Sequence, residues 1–437
     1  MQFLYQIIWT NILALIFFTS SHYKFNIKSH MGTNSVYPVF TDKQPELSSP
    51  DNCKLKKLLL VARHGTRYPE DDDIEKFEEL EKVFQGVSKH SKKWKNQFPS
   101  SKNSLLYTRG QKEHYLLGRR SFKKYHKFWK KILPYDPYII NFRSSKTPRT
   151  GMSGNSYSIG LFDGQGILGK GDSQPIYIYT HALSKDYELA IHLSCTLWKK
   201  TVDKNNEILE EQISQFTSTN LTVISDRISK EYNVKDLKPI HADYIYKACA
   251  FDIIFFNQYN NWCKLLQKED ILTLEYFEDM KHYYRFGYGT DLNKRLACKL
   301  ISKLVKSVDK YLNGKSIVKA DLFFTHSETI SFLYTTLGLY KDSKPLTANA
   351  TLDEVSDRKL KTSDICPFAA NVYFEIYACT SNENLKEKIT MVQVVVNEVP
   401  IVIPGCDEKY CEWSKFKELM GDNLGCDYEE ICDIKKD

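Results

Sequence analysis

The seven residues Arg63-His64-Gly65-Thr66-Arg67-Tyr68-Pro69 follow directly on the apolar run Leu58-Leu59-Leu60-Val61-Ala62. A short apolar run stopped by a glycine-bearing turn is the pattern of a buried strand feeding a loop at its carboxyl end. Open α/β sheets gather their ligands at that end. Arg63 and Arg67 flank His64, and Gly65 permits close backbone approach. Guanidinium groups bind phosphoryl oxygens bidentately, and their charge favours the neutral, nucleophilic form of a neighbouring imidazole. The segment therefore demands an α/β framework that ends a strand in an anion-binding turn.

Further strand patterns fall at 138–144, Ile176–Tyr179, Ala320–Thr325, Asn371–Cys379 and Lys388–Val399. Helical spacing runs from Gly110 to about Ile132 and from Glu269 to Tyr284, and a further helix follows from about Glu328 to Leu339. Pro148 suits the first turn of another helix, and Asp291 suits the N-cap of one reaching Leu312. This order predicts an α/β fold with a mixed, mainly parallel central sheet flanked by helices and a mostly helical inserted domain. The expected division is a loosely ordered lead-in at 22–51, α/β at 52–165, the insertion at 166–289, and α/β at 290–437 with a Cys-rich tail.

The run Ile7–Phe18, followed by Thr19-Ser20-Ser21, has the length of a signal-peptide core and falls short of a membrane span, so residues 1–21 are read as a signal peptide. The expected destination is secretion, without stable membrane insertion and without a KDEL-type signal for the endoplasmic reticulum. In such a compartment the eleven cysteines should largely pair, and an odd count leaves one over. Cys406, Cys411, Cys426 and Cys432 crowd the C-terminus without zinc-ribbon spacing, and Cys263 with Cys298 is one conceivable pair. Asn220 and Asn349 open glycosylation sequons.

Lys and Arg exceed Asp and Glu by 61 to 54, a net charge of +7, which suits a small anionic substrate and falls short of a nucleic-acid binder. The lysines at 89, 92, 93 and 95 and at 123, 124, 127, 130 and 131 read first as solvated helix faces. A rim attracting a polyanion is the competing reading. His181, His192 and His241 lack ligand spacing and read as structural, so no metal or other cofactor is expected.

Arg63 to Pro69 resembles the RHGxRxP signature of the histidine acid phosphatases, and its RHGTRYP form is similar to the branch called multiple inositol polyphosphate phosphatases. Leu106-Tyr107-Thr108-Arg109-Gly110, the stretch from Trp262 to Cys298, and Pro367 to Val372 carry the resemblance over roughly residues 52–400. Thr325-His326-Ser327-Glu328 resembles the His-Ala-Glu of that branch, with Ser327 departing from it. The resemblance implies a phosphomonoesterase of inositol polyphosphates, and of 2,3-bisphosphoglycerate, working through a phosphohistidine. It implies His64 as nucleophile and Glu328 as proton donor, with Arg63, Thr66, Arg67, Arg149 and His326 on the phosphoryl group. Arg143 is a weaker competitor for the place of Arg149. Two alternatives stand beside it: a broad-specificity acid phosphatase, and a secreted binding protein that has lost turnover.

Overall fold

The computed structural model describes residues 25–38, 52–87, 94–380 and 388–434. The signal-peptide reading and Lys89, Lys92 and Lys93 lie outside them. Eight strands form one sheet: β1 (Cys53–Arg63), β2 (Ile140–Ser144), β3 (Ile178–Tyr179), β4 (Ala320–Thr325), β5 (Asn371–Thr380), β6 (Lys388–Val396), β7 (Val399–Ile401) and β8 (Tyr410–Glu412). Their order is β3-β2-β4-β1-β5-β6-β7, with β8 also on β6.

The fold is mixed α/β, as expected, but the parallel share is smaller than the sequence reading supposed. β3, β2, β4 and β1 pair in parallel, while every pairing from β1 onward through β5, β6, β7 and β8 is antiparallel. For β5, β6 and β7 the reason is local: seven residues separate β5 from β6 and two separate β6 from β7, too few for the crossover a parallel pair needs.

The helices that position the site are α1 (Asp71–Val83), α2 (Thr108–Lys124), α3 (Pro148–Leu161), α4 (Ile191–Ser194), α5 (His241–Phe256), α6 (Lys268–Phe286), α7 (Cys298–Leu312) and α8 (Ser327–Thr336). α2 buries Gly110, His114, Leu117, Gly118 and Ser121, one helical stripe. It crosses α3 at the glycine pair Gly118 and Gly160. A Cβ on Gly160 would stand 1.9 Å from the Tyr115 carbonyl oxygen, so only glycine allows this approach.

The sheet separates two cores. Leu58, Leu60, Ala62, Phe142 and Phe324 face α2 and α3. Leu59, Val61, Phe323 and Phe374 face the other way, into a core continuous with the helices between β3 and β4. Five disulfides join Cys53 to Cys379, Cys195 to Cys432, Cys249 to Cys263, Cys298 to Cys426 and Cys406 to Cys411. The leftover thiol is the buried Cys366. The Cys263–Cys298 pairing is thus corrected: α5 brings Cys249 to Cys263, and the tail claims Cys298.

Other expectations change as well. Asp291 caps no long helix: the chain makes a short turn at Asn293–Leu296, breaks at Ala297, and restarts as α7, while the Asn293 amide turns inward onto the Arg285 and Gly287 carbonyls. The described part of the lead-in is ordered, with Met31 and Tyr37 buried. Lys123, Lys124, Lys127, Lys130 and Lys131 lie at and beyond the far end of α2, roughly 25 Å along the helix from the turn at Thr66. They do not rim the site. Among the described residues no helix is long and apolar enough to cross a membrane.

One buried charge holds β1 to β4 at the end away from the site. Lys57 Nζ lies 2.8 Å from Asp321 Oδ2 and donates to the Val318 carbonyl at 2.8 Å. Asp321 also accepts from Asn141 and Ser307. Asp321→Ala strands a buried ammonium and is expected to cost about 3–5 kcal/mol, read by denaturant unfolding. Lys57→Met combined with Asp321→Leu should recover part of that loss.

Candidate active site

Three neighbouring parallel strands end side by side, Arg63 opposite Thr325 and Ser144 opposite Phe324. Each delivers its next residues to one place: β1 delivers His64, β4 delivers His326 and Glu328, and β2 leads into α3 with Arg149 in its first turn. The turn after β1 is pinned from both sides. The His64 N–H donates to the Thr325 carbonyl at 2.9 Å, and the His64 carbonyl accepts from Ala369 N–H at 3.1 Å. Gly65 meets Gly110 backbone to backbone, where a Cβ would sit 2.4 Å from the Gly110 oxygen. Ser153 ties α3 in, accepting from Gly65 N–H at 3.1 Å and donating to the Arg149 carbonyl at 2.7 Å.

His64 is buried, and its Nδ1 lies 2.9 Å from the Gly65 carbonyl. A carbonyl only accepts, so Nδ1 carries the proton and Nε2 keeps its lone pair. Burial first, then Arg149, Arg63, His326 and Arg67, push the His64 pKa well below that of ordinary histidine. The ring is therefore a neutral base with one nitrogen available for attack.

The arginines are held from behind. Arg63 Nη1 donates to the carbonyls of Thr33 at 2.6 Å and Cys366 at 2.8 Å, and its guanidinium covers the Phe368 ring at 4.4 Å. Burial pushes its pKa down to about 10. Arg67 and Arg149 share one counter-charge, Glu70, at 3.0 and 3.7 Å. The Nε–H of Arg63, Arg67 and Arg149 are all buried without an acceptor among the described residues. Unpaired buried donors are costly, and three in one pocket suit an arriving oxyanion.

His326 is wired through hydroxyls. Thr150 Oγ1 donates to the Ser145 and Thr147 carbonyls, so Ser145 Oγ donates to Thr150 and accepts from His326 Nε2 at 2.8 Å. His326 Nδ1 is buried without a partner among the described residues. Glu328 sits in the first turn of α8, where the helix dipole favours a carboxylate. Burial raises its pKa, but His192, His326 and Arg149 outweigh that and hold the carboxyl well below the usual range.

Thus His64, Arg63, Arg67, Arg149, His326 and Glu328 converge. Thr66 does not fit the phosphate-binding expectation: its N–H and hydroxyl are both spent on Glu113, at 2.8 and 2.7 Å, and fasten the turn to α2. Burial pushes the Glu113 carboxyl up to about 7. Arg143 is excluded as well, buried against Asp186 and Glu188. His192, read as structural, faces the site with its ring centroid 5.1 Å from that of His326. No motif marked His192, Glu70 or Glu113. His192, His326 and Glu328 present their nitrogen and carboxylate atoms within 4.8 Å of one another, but the surrounding guanidinium charge disfavours a cation there.

A model of the histidine phosphatase superfamily (branch 2) matches residues 54–397. The chain belongs to this family. It is 28% identical over 448 residues to multiple inositol polyphosphate phosphatase 1 of Dictyostelium discoideum, spanning 89% of this chain and 69% of that protein. The Gallus gallus protein of the same name is 26% identical over 403 residues, spanning 89% and 86%. Among solved structures, the phytase from D. castellii superposes with a TM-score of 0.76 at 17% identity, covering 95% of this chain and 89% of that one. The multiple inositol polyphosphate phosphatase of Bifidobacterium longum, in complex with inositol hexasulfate, gives 0.71 at 13% identity, covering 91% and 98%. The chain is a phosphatase of the histidine acid phosphatase type.

An anion entering between Arg67 and Arg149 must displace the Glu70 carboxylate, which is half exposed and so a modest competitor. Glu70→Gln is expected to lower both KM for p-nitrophenyl phosphate and the inhibition constant of inorganic phosphate by roughly five-fold, the equivalent of about 1 kcal/mol. Steady-state kinetics with phosphate as inhibitor checks this, and unchanged constants contradict it.

Proposed function

We propose that the chain is a secreted phosphomonoesterase that removes phosphate from inositol polyphosphates through a phosphohistidine at His64. The observation that carries this reading is the neutral His64 with a free Nε2, set among three guanidinium groups with unspent donors. Nε2 attacks phosphorus in line while the bond to the inositol oxygen breaks, and that oxygen takes the electron pair and a proton from Glu328. Water then attacks the phosphohistidine, gives its proton to Glu328, and releases inorganic phosphate and neutral His64. The guanidinium groups stabilise the charge of both transition states.

The surrounding positive charge keeps Glu328 ionised, so substrate has to load it with a proton. The negative phosphoryl group offsets the arginines and raises the proton affinity of Glu328 and of His326, whose Nδ1 then donates to a phosphoryl oxygen. The basic net charge favours a polyanionic substrate, and relatives named for inositol polyphosphates support that class. Five disulfides among the described residues support an oxidising destination. We read 166–289 as a helical insertion into an α/β body formed by 52–165 and 290–437.

Phosphate release from inositol hexakisphosphate, without added metal, tests the reading. His64→Ala should abolish turnover, while wild-type kcat/KM should show no acid limb near the ordinary histidine pKa of about 6.5. His64 stays neutral below that pH, so any loss belongs at lower pH. Normal turnover by His64→Ala would refute the phosphohistidine, and turnover of p-nitrophenyl phosphate alone would favour the broad-specificity reading.

A further inference from the structure

His192 faces the site beside His326, and neither the signature motifs nor the proposed mechanism uses it. Its Nδ1 is buried and unpartnered among the described residues. Its ring stands edge-on to His326, and one of its nitrogens lies within 4.8 Å of Glu328. The placement is built. The Leu189 carbonyl, just before α4, accepts from the hydroxyls of Thr325 at 2.5 Å and Thr329 at 3.3 Å, the residues flanking His326 and Glu328. On the other side of α4, Cys195 is bridged to Cys432, and Leu197 N–H donates to the Cys432 carbonyl at 2.9 Å. A helix of four residues cannot set its own direction. These tethers set it, and they aim an imidazole at the proton donor.

We propose that His192 is a positioning residue for Glu328, orienting its carboxyl toward the leaving oxygen and setting the pH at which it carries a proton. The inference rests on the mechanism above. While His192 is protonated it holds Glu328 down, so removing it raises the Glu328 pKa; burial lowers the pKa of His192 itself. Several neighbours share that field: His326 ahead of α8, Arg149 on α3, Arg63 on β1 and His282 on α6 all face Glu328. Cys366, ahead of β5, also faces Glu328, and Glu70 and Asp203 face His192. All of them stay in place in the variant. A general acid works protonated, so a raised pKa moves the alkaline limb of kcat upward.

The test is the leaving group. An inositol alkoxide needs its proton, whereas p-nitrophenolate departs without one. His192→Ala should lower kcat on inositol hexakisphosphate by about ten-fold or more, a fraction of what general acid catalysis supplies. It should leave kcat/KM on p-nitrophenyl phosphate, which ends at phosphoryl transfer and so excludes the water step that uses Glu328 as base, within about two-fold, and shift the alkaline limb upward on the inositol substrate. His192→Gln, which keeps a hydrogen-bonding group, should recover part of the loss but not the original limb. Equal losses on both substrates with an unmoved limb would mean that His192 only packs, and no loss on either would mean that it does nothing for Glu328. Either result overturns the proposal. If the wild type turns over p-nitrophenyl phosphate but not the inositol phosphate, the substrate reading has failed on its own. Glycerol 2-phosphate, another poor leaving group, then takes its place in the comparison.

Discussion

The pairing of β1 with β4 is the constraint on which the site depends. It sets Arg63 opposite Thr325, and so places His64 beside His326 although the whole helical segment lies between them in sequence. Closing so long a loop costs little more than closing a short one, because the entropy grows only with the logarithm of its length. The pairing itself is reinforced at both ends. Lys57 and Asp321 neutralise each other at the amino end, and the His64 N–H reaches the Thr325 carbonyl at the carboxyl end. β5 closes the other side of β1, so the backbone leading into His64 has partners on both flanks. A side chain that must meet phosphorus in line has to ride on a backbone this rigid.

The pocket is organised around a missing negative charge. Three buried or half-buried guanidinium groups in one place repel each other, and the structure tolerates them by different means. Arg63 leans on two carbonyls and an aromatic face, whereas Arg67 and Arg149 share Glu70. The same field dictates the state of everything else, since it keeps His64 neutral and Glu328 ionised. On the proposed mechanism an arriving phosphoryl group changes protonation as well as occupancy: its charge turns Glu328 from a carboxylate into an acid. Binding and activation are then one electrostatic event, which suits phosphoryl transfer, where positioning and charge stabilisation do most of the work.

What the sequence made legible was whatever is contiguous. β4 falls at Ala320–Thr325 as the apolar run predicts, α3 starts at Pro148, and the motif residues around 63–69 and 325–328 meet as expected. What stayed hidden are contacts made by residues far apart in the chain. The hydroxyl of Thr66 points to Glu113, which is one helix away, and so the motif alone misassigned it. Arg143 looked available until Asp186 and Glu188 came to it from beyond β3. Asp291 has the chemistry of a cap, but Asn293 turns inward and the helix breaks before it forms. His192 sits in a four-residue helix with no periodicity to read, and only the fold brings it to Glu328.

The C-terminal tail shows how far this dependence on remote contacts reaches. The family match ends at residue 397, yet three of the five disulfides draw on cysteines beyond it. Cys426 fastens the tail to the start of α7, and Cys432 fastens it beside α4. The second bond lies three residues past His192, so the placement of α4 beside Glu328 is held in part by a covalent link from beyond the family match. Helix propensity cannot replace that link over four residues, nor can the two threonine hydroxyls that hold only the amino side of α4. On the proposed role of His192, the Cys195–Cys432 bond and the alignment of Glu328 are joined. On that proposal the cysteine-rich terminus contributes to the site as well as to stability.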